Sequence, residues 1–399
     1  MCNLHRPGCA LRQRFVEGRN TTQQEHGFVR LRLTSPPQPS ILRDSRHGVC
    51  FTRPTAKINR PTEVCSLKCR VFYHDHCFDG ACSASVFTRF HRECIGTAQD
   101  FSYFGLMHRA GSLFDESAFV EGENAIVDFK YSASPRVTWW FDHHQSAFLT
   151  PDDQRDFLAW QARADQAAAA GKPVQGGKFY DPAYVSCTSL IADVARDKFG
   201  FDTAPLAELI HWADIVDGAR YESAEAAVGM AAPAMKLTMV IESSGEGFVP
   251  RVIPLLTEMS LQQVLDQPFI QAELGPLMER HIAGIELLRE RTTLDRGVVT
   301  FDITDRLTEG YNKFIPYYLH PAATYNVGLS RSSFRTKVAV GTNPWTKVPV
   351  AELANLAAIC ERYGGGGHAR VGAVSFPPDQ EDDARKAAAE IVAELRAQD

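Results

Sequence analysis

The chain lacks any run of about 18 uncharged apolar residues of the kind that spans a bilayer, so a membrane-embedded role is not expected. Its 399 residues are 44% hydrophobic and 23% charged, which is the composition of a soluble globular protein. Cysteine is sparse as well. Ten in a chain of this size are too few for a disulfide scaffold, and Cys77 and Cys82 fall inside a polar motif, so a reducing compartment, the cytoplasm by default, fits best. Beyond residue 63 the chain is also short of positive charge. Residues 1–63 hold eleven Lys or Arg and four Asp or Glu, a net +7, which leaves −13 for the remainder out of an overall −6. An acidic body argues against extended duplex binding, which draws on long basic faces, and favours small phosphorylated ligands or short oligonucleotides. Composition leaves a homo-oligomer open.

What the chain does have is three short apolar runs that each stop at acid or histidine. Val71-Phe72-Tyr73 runs into His74-Asp75-His76, Ala125-Ile126-Val127 into Asp128, and residues 137–141 into Asp142-His143-His144. Buried parallel strands read as continuous apolar runs, and open α/β sheets bind ligands beyond the carboxyl ends of their strands. The pattern therefore predicts a metal site at one edge of a parallel sheet.

Strand-like and helical stretches alternate from residue 69 to about 220, with helical spacing over 81–92, 188–199 and 205–216. This predicts a doubly wound, mainly parallel α/β sheet. Residues 151–178, with an alanine-rich stretch at 161–170, read as a peripheral insertion. Residues 221–295 carry helical spacing, for instance Leu277, His281, Ile285 and Leu288, and read as a helical connector. A smaller C-terminal α/β domain is expected over 296–399, with strands at 298–303, 325–329, 335–340 and 371–376 and helices at 350–363 and 382–396. Residues 1–63 are Arg-rich, acid-poor and aperiodic. They read as a disordered extension, either an organellar leader or the product of a misassigned start. Cys65 and Cys69 lack a second cysteine pair at zinc-site spacing and are not expected to be ligands.

Asp142-His143-His144 offers hard oxygen and borderline nitrogen donors, suited to Mn2+, Mg2+ or Fe2+ more than to thiolate-bound zinc. His74-Asp75-His76-Cys77-Phe78-Asp79-Gly80 follows a strand and opens a helix, whose N-terminus favours phosphate. Asp79 there competes with a simple capping role, and a lone Asp128 would ordinarily be a turn residue. Asp214 sits on a largely apolar helix where an unpaired carboxylate is costly; Asp217, three residues on, shares its face, and Asp214 is ranked first. Gly364-Gly365-Gly366-Gly367-His368 is a costly run of glycine for packing alone, and its exposed N–H groups suit a phosphate. Arg331 and Arg370 are candidate charge partners, although arginines at strand and loop ends are usually solvated.

Taken together, Asp142-His143-His144, Tyr73-His74 with Asp79-Gly80, Asp128, and Gly364 to His368 resemble the DHH phosphoesterase family with its DHH-associated C-terminal domain. The resemblance covers roughly residues 69–399. That family includes RecJ-type exonucleases, oligoribonucleases that also act on 3′-phosphoadenosine 5′-phosphate, cyclic-dinucleotide phosphodiesterases, and enzymes acting on polyphosphate and pyrophosphate. The resemblance implies two divalent metal ions, manganese first, held by His74, Asp79, Asp128, His143 and Asp214, with Asp128 bridging. It further implies that His144 contacts the scissile phosphate, that Asp142 orients the neighbouring imidazole, and that Gly365, Gly366, Gly367 and His368 bind substrate. The sequence departs from the family where Cys77 stands at a position commonly Asp, which leaves Asp75 or His76 as the alternative ligand. Hydrolysis by metal-activated water needs no covalent intermediate, and nothing singles out a base for Cys77 or Cys82 as nucleophile. The expected function is phosphoester hydrolysis of short oligonucleotides or small nucleotides. The competing readings are an exopolyphosphatase-like hydrolase and a nucleotide-binding protein with little catalysis.

Overall fold

The structure is a computed structural model that describes residues 67–397 apart from 97, 109–112, 173–175 and 309. The expectations for residues 1–63 and for Cys65 fall outside the described residues.

The first lobe runs β1 (Leu67–His74), α1 (Phe78–Phe90), β2 (Ala98–Leu106), β3 (Glu123–Val127), β4 (Trp139–Asp142), α2 (Pro151–Ala169), β5 (Gly177–Tyr180), α3 (Cys187–Phe199) and α4 (Ala207–Asp217). Its strands form one parallel sheet in the order β2-β1-β3-β4-β5. β3 and β4 are buried at every position, as strands covered on both faces must be. Their side chains alternate between two cores. Val71, Tyr73, Ala125, Val127, Trp139 and Phe141 face α1, α3 and α4, while Phe72, Ile126 and Trp140 pack with Phe119, Tyr131 and Phe157 behind the sheet. Each such side chain contributes roughly 1.5–3 kcal/mol by leaving water.

Two expectations change here. Residues 151–178 are not an insertion: α2 is the crossover between β4 and β5, opened by a Thr150–Asp153 capping box, and β5 is an edge strand of the sheet. Among the described residues of α2 only Phe157 is buried, which is why its sequence reads as peripheral. β2 is a strand that the sequence pattern does not announce. It lies at the other edge, and its outer half is half-buried or exposed, so it carries no continuous apolar run.

β5 also brings a lysine into the core. Lys178 is 5% exposed; its Nζ donates to Tyr131 Oη at 2.8 Å, and that hydroxyl donates to Asp156 at 2.7 Å. Burial, opposed by the charge of Asp156, pushes the ammonium down to about 8. An unfolded lysine titrates near 10.4, so the folded chain binds fewer protons between these values, and stability rises with pH across that window. Lys178→Met is therefore expected to stabilise the fold at pH 7 by ~1–2 kcal/mol, the gain fading by about pH 10. Urea titrations at the two pH values measure it, and an equal gain at both would contradict the assignment.

The chain continues as helices α5 (Ala224–Val228), α6 (Pro233–Ser243), α7 (Val249–Glu258), α8 (Leu261–Leu265) and α9 (Pro268–Arg291). The expected connector is thus helical, but most of it is not a mere link: Leu237, Val240, Ile253, Leu256 and Ile270 belong to the same core as Val71 and Phe87. The second lobe follows as β6 (Thr293–Asp295), β7 (Val298–Leu307), α10 (Ile315–Leu319), β8 (Tyr325–Arg331), β9 (Thr336–Thr342), α11 (Leu356–Glu361), β10 (Gly366–His368), β11 (Val371–Phe376) and α12 (Glu381–Arg396). Its six-stranded sheet has the order β10-β11-β9-β8-β7-β6, antiparallel except between β7 and β8. α11 and α12 cover one face over Val327, Leu329, Val338, Val340 and Val374. The helix expected over 350–363 is shorter because the Asn355 side chain accepts the Ala358 N–H and starts α11 at Leu356. Trp345 Nε1 donating to Tyr221 O at 2.8 Å and Asn312 donating to Ala227 O at 2.9 Å tie the second lobe to the end of the first.

Candidate metal centre

Parallel strands end on the same edge, and that edge gathers the polar residues. His74 closes β1, Asp128 follows β3, His143 and His144 follow β4, Asp79 lies in the first turn of α1, and Asp217 is the last residue of α4. Asp128 turns sharply inward: its φ is +57°, a left-handed conformation that Asp tolerates better than most residues, and its N–H donates to Phe141 O at 2.9 Å. It sits between the histidines, with His74 Nδ1 3.4 Å from Oδ2 and His143 Nε2 3.5 Å from Oδ1. His143 Nε2 also lies 3.8 Å from Asp79 Oδ2 and 3.6 Å from Asp217 Oδ2. Two groups of possible ligand atoms result, His74–Asp128–His144 and Asp79–Asp128–His143, which share Asp128.

The chemistry of these contacts calls for cations. His143 Nδ1 is 3.2 Å from the Tyr184 carbonyl, which only accepts, so Nδ1 carries the proton and Nε2 is left to face three carboxylates. Acceptor then faces acceptor unless a proton or metal lies between. Burial alone would lower His143, but Asp128, Asp79 and Asp217 outweigh it and push the imidazole up to about 10. Burial together with Asp128 pushes Asp217 up to about 6 and, with Asp217 as well, raises Asp79. Asp128 goes the other way: burial would raise it, yet the close approach of His143 and His74 holds its carboxyl below the usual range. Four buried polar atoms here, His74 Nδ1, Asp128 Oδ1, Asp142 Oδ2 and His143 Nε2, make no hydrogen bond, an unusual density of orphans. Separations of 3.4–3.8 Å match donors arranged around a shared cation at about 2.1 Å from each. Carboxylates and imidazoles without a thiolate fit Mn2+ or Mg2+.

Among solved structures the chain is similar to the pGpG-specific phosphodiesterase PggH from Vibrio cholerae, with 17% identity over 83% of this chain and 100% of that one, at a TM-score of 0.58. The chain carries the DHH fold. Other similar structures are a DHH domain described as belonging to a family of ribosomal proteins (14% identity, 82% of this chain, 87% of that, TM-score 0.49) and RecJ from Thermus thermophilus with Mn2+ (14%, 82% and 52%, TM-score 0.37). No protein-family model matches the chain, and no curated protein matches it in sequence.

Against the DHH resemblance, the structure brings His74, Asp79, Asp128, His143 and His144 together and revises two other expected ligands. Asp214 is not in the cluster. Its Oδ1 accepts from Ser186 Oγ and Ser189 Oγ, each at 2.6 Å, at the N-terminus of α3, and Asp217 one turn on faces His143 instead. Asp75 also turns away: it accepts from Tyr73 Oη at 3.3 Å and from the His76 N–H at 2.9 Å, against the backbone of Gly105. Neither Asp75, His76 nor Cys77 joins the two groups, and the third donor beside His74 and Asp128 is His144. Asp142 holds that imidazole, with Oδ1 2.7 Å from His144 Nδ1 while it accepts the His143 and His144 N–H groups. Asp79 does cap a helix, though not its own: its carboxylate accepts the Cys187 and Thr188 N–H groups of α3 and the Thr188 hydroxyl.

Sequence reasoning missed His108, which stacks on Phe129 at 4.8 Å and meets His74 edge-on at 5.1 Å. Burial and the neighbouring His74 and Lys130 charges lower it. It follows the unannounced strand β2, so only that strand's assignment would have found it.

The glycine run is explained mostly by backbone. Gly364 ends α11 at φ +75°, and a Cβ on Gly365 or Gly367 would lie 2.2 Å from the carbonyls of Ala373 and Val371. Gly366, like Gly364, has open space and, with Gly367 and Arg370, lines a cavity of about 860 Å³. Gly365 and the exposed His368 do not line it. Arg331 is a further correction: it pairs with Glu381 of α12 at 3.2 Å, on the opposite face of β8 from the cavity-lining Asn326 and Ser330, because side chains alternate along a strand. The cavity begins at Gly218, next to Asp217, and extends over β8, β9 and β11.

Proposed function

We propose that this chain is a divalent-metal-dependent phosphoesterase that hydrolyses short oligonucleotides or small nucleotides. The observation that carries the reading is the pair of ligand groups sharing Asp128, in which His143 Nε2 faces three carboxylates. Its likeness in fold to a pGpG-specific phosphodiesterase and the cavity that opens beside Asp217 support the substrate class. Two divalent ions, held by His74, Asp128 and His144 and by Asp79, Asp128 and His143 with Asp217 alongside, would activate water and neutralise phosphoryl charge. The chain's own residues prepare that chemistry. The Tyr184 carbonyl fixes the His143 tautomer, Asp142 fixes the His144 ring, and the α3 N–H groups hold the Asp79 carboxylate in place. Cys77 stands outside both ligand groups, and burial raises its thiol, so the reading gives it no part in the chemistry.

The purified protein with Mn2+ is expected to release mononucleotide from linear di- to pentanucleotides and to fall silent with a chelator. A panel that adds 3′-phosphoadenosine 5′-phosphate, cyclic dinucleotides and polyphosphate, read by phosphate and nucleotide release, identifies the class. Turnover of polyphosphate alone would move the reading to an exopolyphosphatase. Silence across the panel, with metal bound by calorimetry, would reduce it to nucleotide binding.

A further inference from the structure

The turn between β5 and α3 touches one ligand group and leaves the other alone. Its Tyr184 carbonyl lies 3.2 Å from His143 Nδ1, and the Cys187 and Thr188 N–H groups donate to Asp79 at 2.7 and 3.1 Å. Val185 lies against the end of α4, where a Cβ on Gly218, the residue after Asp217, would come 2.5 Å from Val185 Cγ1. Residues 184–188 thus bear on His143, on Asp79 and on the backbone beside Asp217. Among the described residues none of them hydrogen-bonds to His74 or His144. That group is held by the sheet itself, since His74 ends β1 and His144 is gripped by Asp142 of β4.

What fixes the turn is a contact with a helix and not with the ligands. Residues 181–186 belong to no helix or strand, so the Tyr184 carbonyl has no regular backbone ladder to hold it. Asp181 starts the turn: its N–H donates to Asp142 O at 3.3 Å, its side chain accepts the Ala183 N–H at 2.9 Å and its carbonyl accepts the Tyr184 N–H at 3.3 Å. The Tyr184 hydroxyl closes the other side by donating to Asp193 Oδ2 on α3 at 3.0 Å, and Asp193 is steadied by Arg196 at 2.6 Å. One residue is therefore tied to α3 by its ring and to His143 by its carbonyl. An imidazole ligand is only as well aimed as the acceptor of its other N–H, and loss of such partners costs roughly 10–100-fold in metal affinity.

We propose that Tyr184 and Asp193 form a clamp that sets the affinity of the ion held by Asp79, Asp128 and His143, and that the ion held by His74, Asp128 and His144 does not depend on it. Tyr184 is a positioning residue, since its hydroxyl acts through its own carbonyl on His143. The inference rests on the two-ion reading of the centre and deepens it: the two ions have separate supports, so one can be loosened without the other.

The test is Mn2+ titration of the intact protein by calorimetry, with the Mn2+ dependence of phosphoester hydrolysis measured in parallel. Tyr184→Phe removes only the hydroxyl and is expected to weaken one of two Mn2+ sites ~10-fold, the other staying within about twofold of the parent. The Mn2+ concentration giving half-maximal rate should rise by the same ~10-fold, while kcat at excess Mn2+ falls less than about threefold. Asp193→Asn, whose amide oxygen still accepts the hydroxyl, should keep near-parent affinity, and Y184F/D193A should be no weaker than Y184F alone, as a shared contact requires. Adding Asp217→Asn to Tyr184→Phe should leave the other site at parent affinity, which identifies the loosened one. Equal weakening of both sites, or no change in either, overturns the clamp and leaves the phosphoesterase reading standing. Two parent sites, one of them loosened by Tyr184→Phe, with no hydrolysis of any nucleotide or polyphosphate, keep the clamp and overturn the phosphoesterase. A parent that binds fewer than two ions overturns both.

Discussion

Asp128→Asn is expected to lower metal-dependent hydrolysis at least ~10³-fold, the equivalent of about 4 kcal/mol in the barrier. Asp128 is the one carboxylate common to both ligand groups, so its removal weakens both ions and not one. Asparagine is the informative replacement. It keeps the size of the side chain, and it accepts the left-handed backbone at φ +57° better than alanine does. Thermal unfolding by circular dichroism separates loss of the centre from loss of the fold, since the metal-free variant should still melt cooperatively. Metal titration by calorimetry should show weakened binding at two sites. A variant that keeps near-normal turnover, or binds two ions as tightly as the parent, would remove Asp128 from the centre of the mechanism.

The sheet edge was legible because physics writes it twice in the sequence. A parallel strand covered on both faces is apolar along much of its length, so residues 125–127 of β3 and 139–141 of β4 stand out, and the residue after each such run falls at the ligand edge. The pattern pointed to the segments that hold His74, Asp128 and His143, and the DHH resemblance picked out these residues within them. Two kinds of information were not local. One is parity along a strand: Arg331 and Lys337 are both cations near a hairpin, but β8 directs Arg331 to α12 while β9 directs Lys337 to the cavity, and a one-residue uncertainty in the strand ends reverses that assignment. The other is competition from a distant helix. The end of α4 carries two acids, and which one is free depends on Ser186 and Ser189, more than twenty residues earlier, claiming Asp214. The glycine run misled in the opposite sense, since close approach to Ala373 and Val371 accounts for two of its glycines without any ligand.

That competition yields the second large effect, a contrast between two acids one turn apart. Asp217→Asn is expected to cost ~10²-fold or more in kcat, because it removes one of the three carboxylates facing His143 Nε2. In the metal-free state the same change should raise the melting temperature, since Asp217 is crowded by Asp128 and pushed up to about 6. Asp214→Ala should do the reverse. It leaves two serine hydroxyls at the start of α3 without their acceptor, at ~1–2 kcal/mol of stability, while kcat with saturating metal stays within about threefold of the parent. Loss of activity with stability gained identifies a charge held in place for a cation; loss of stability with activity kept identifies a carboxylate that serves a helix end. If instead Asp214→Ala abolished turnover in a folded protein and Asp217→Asn did not, the side chains would be reversed from their arrangement in the structure, and the second ligand group would have to be rebuilt around Asp214.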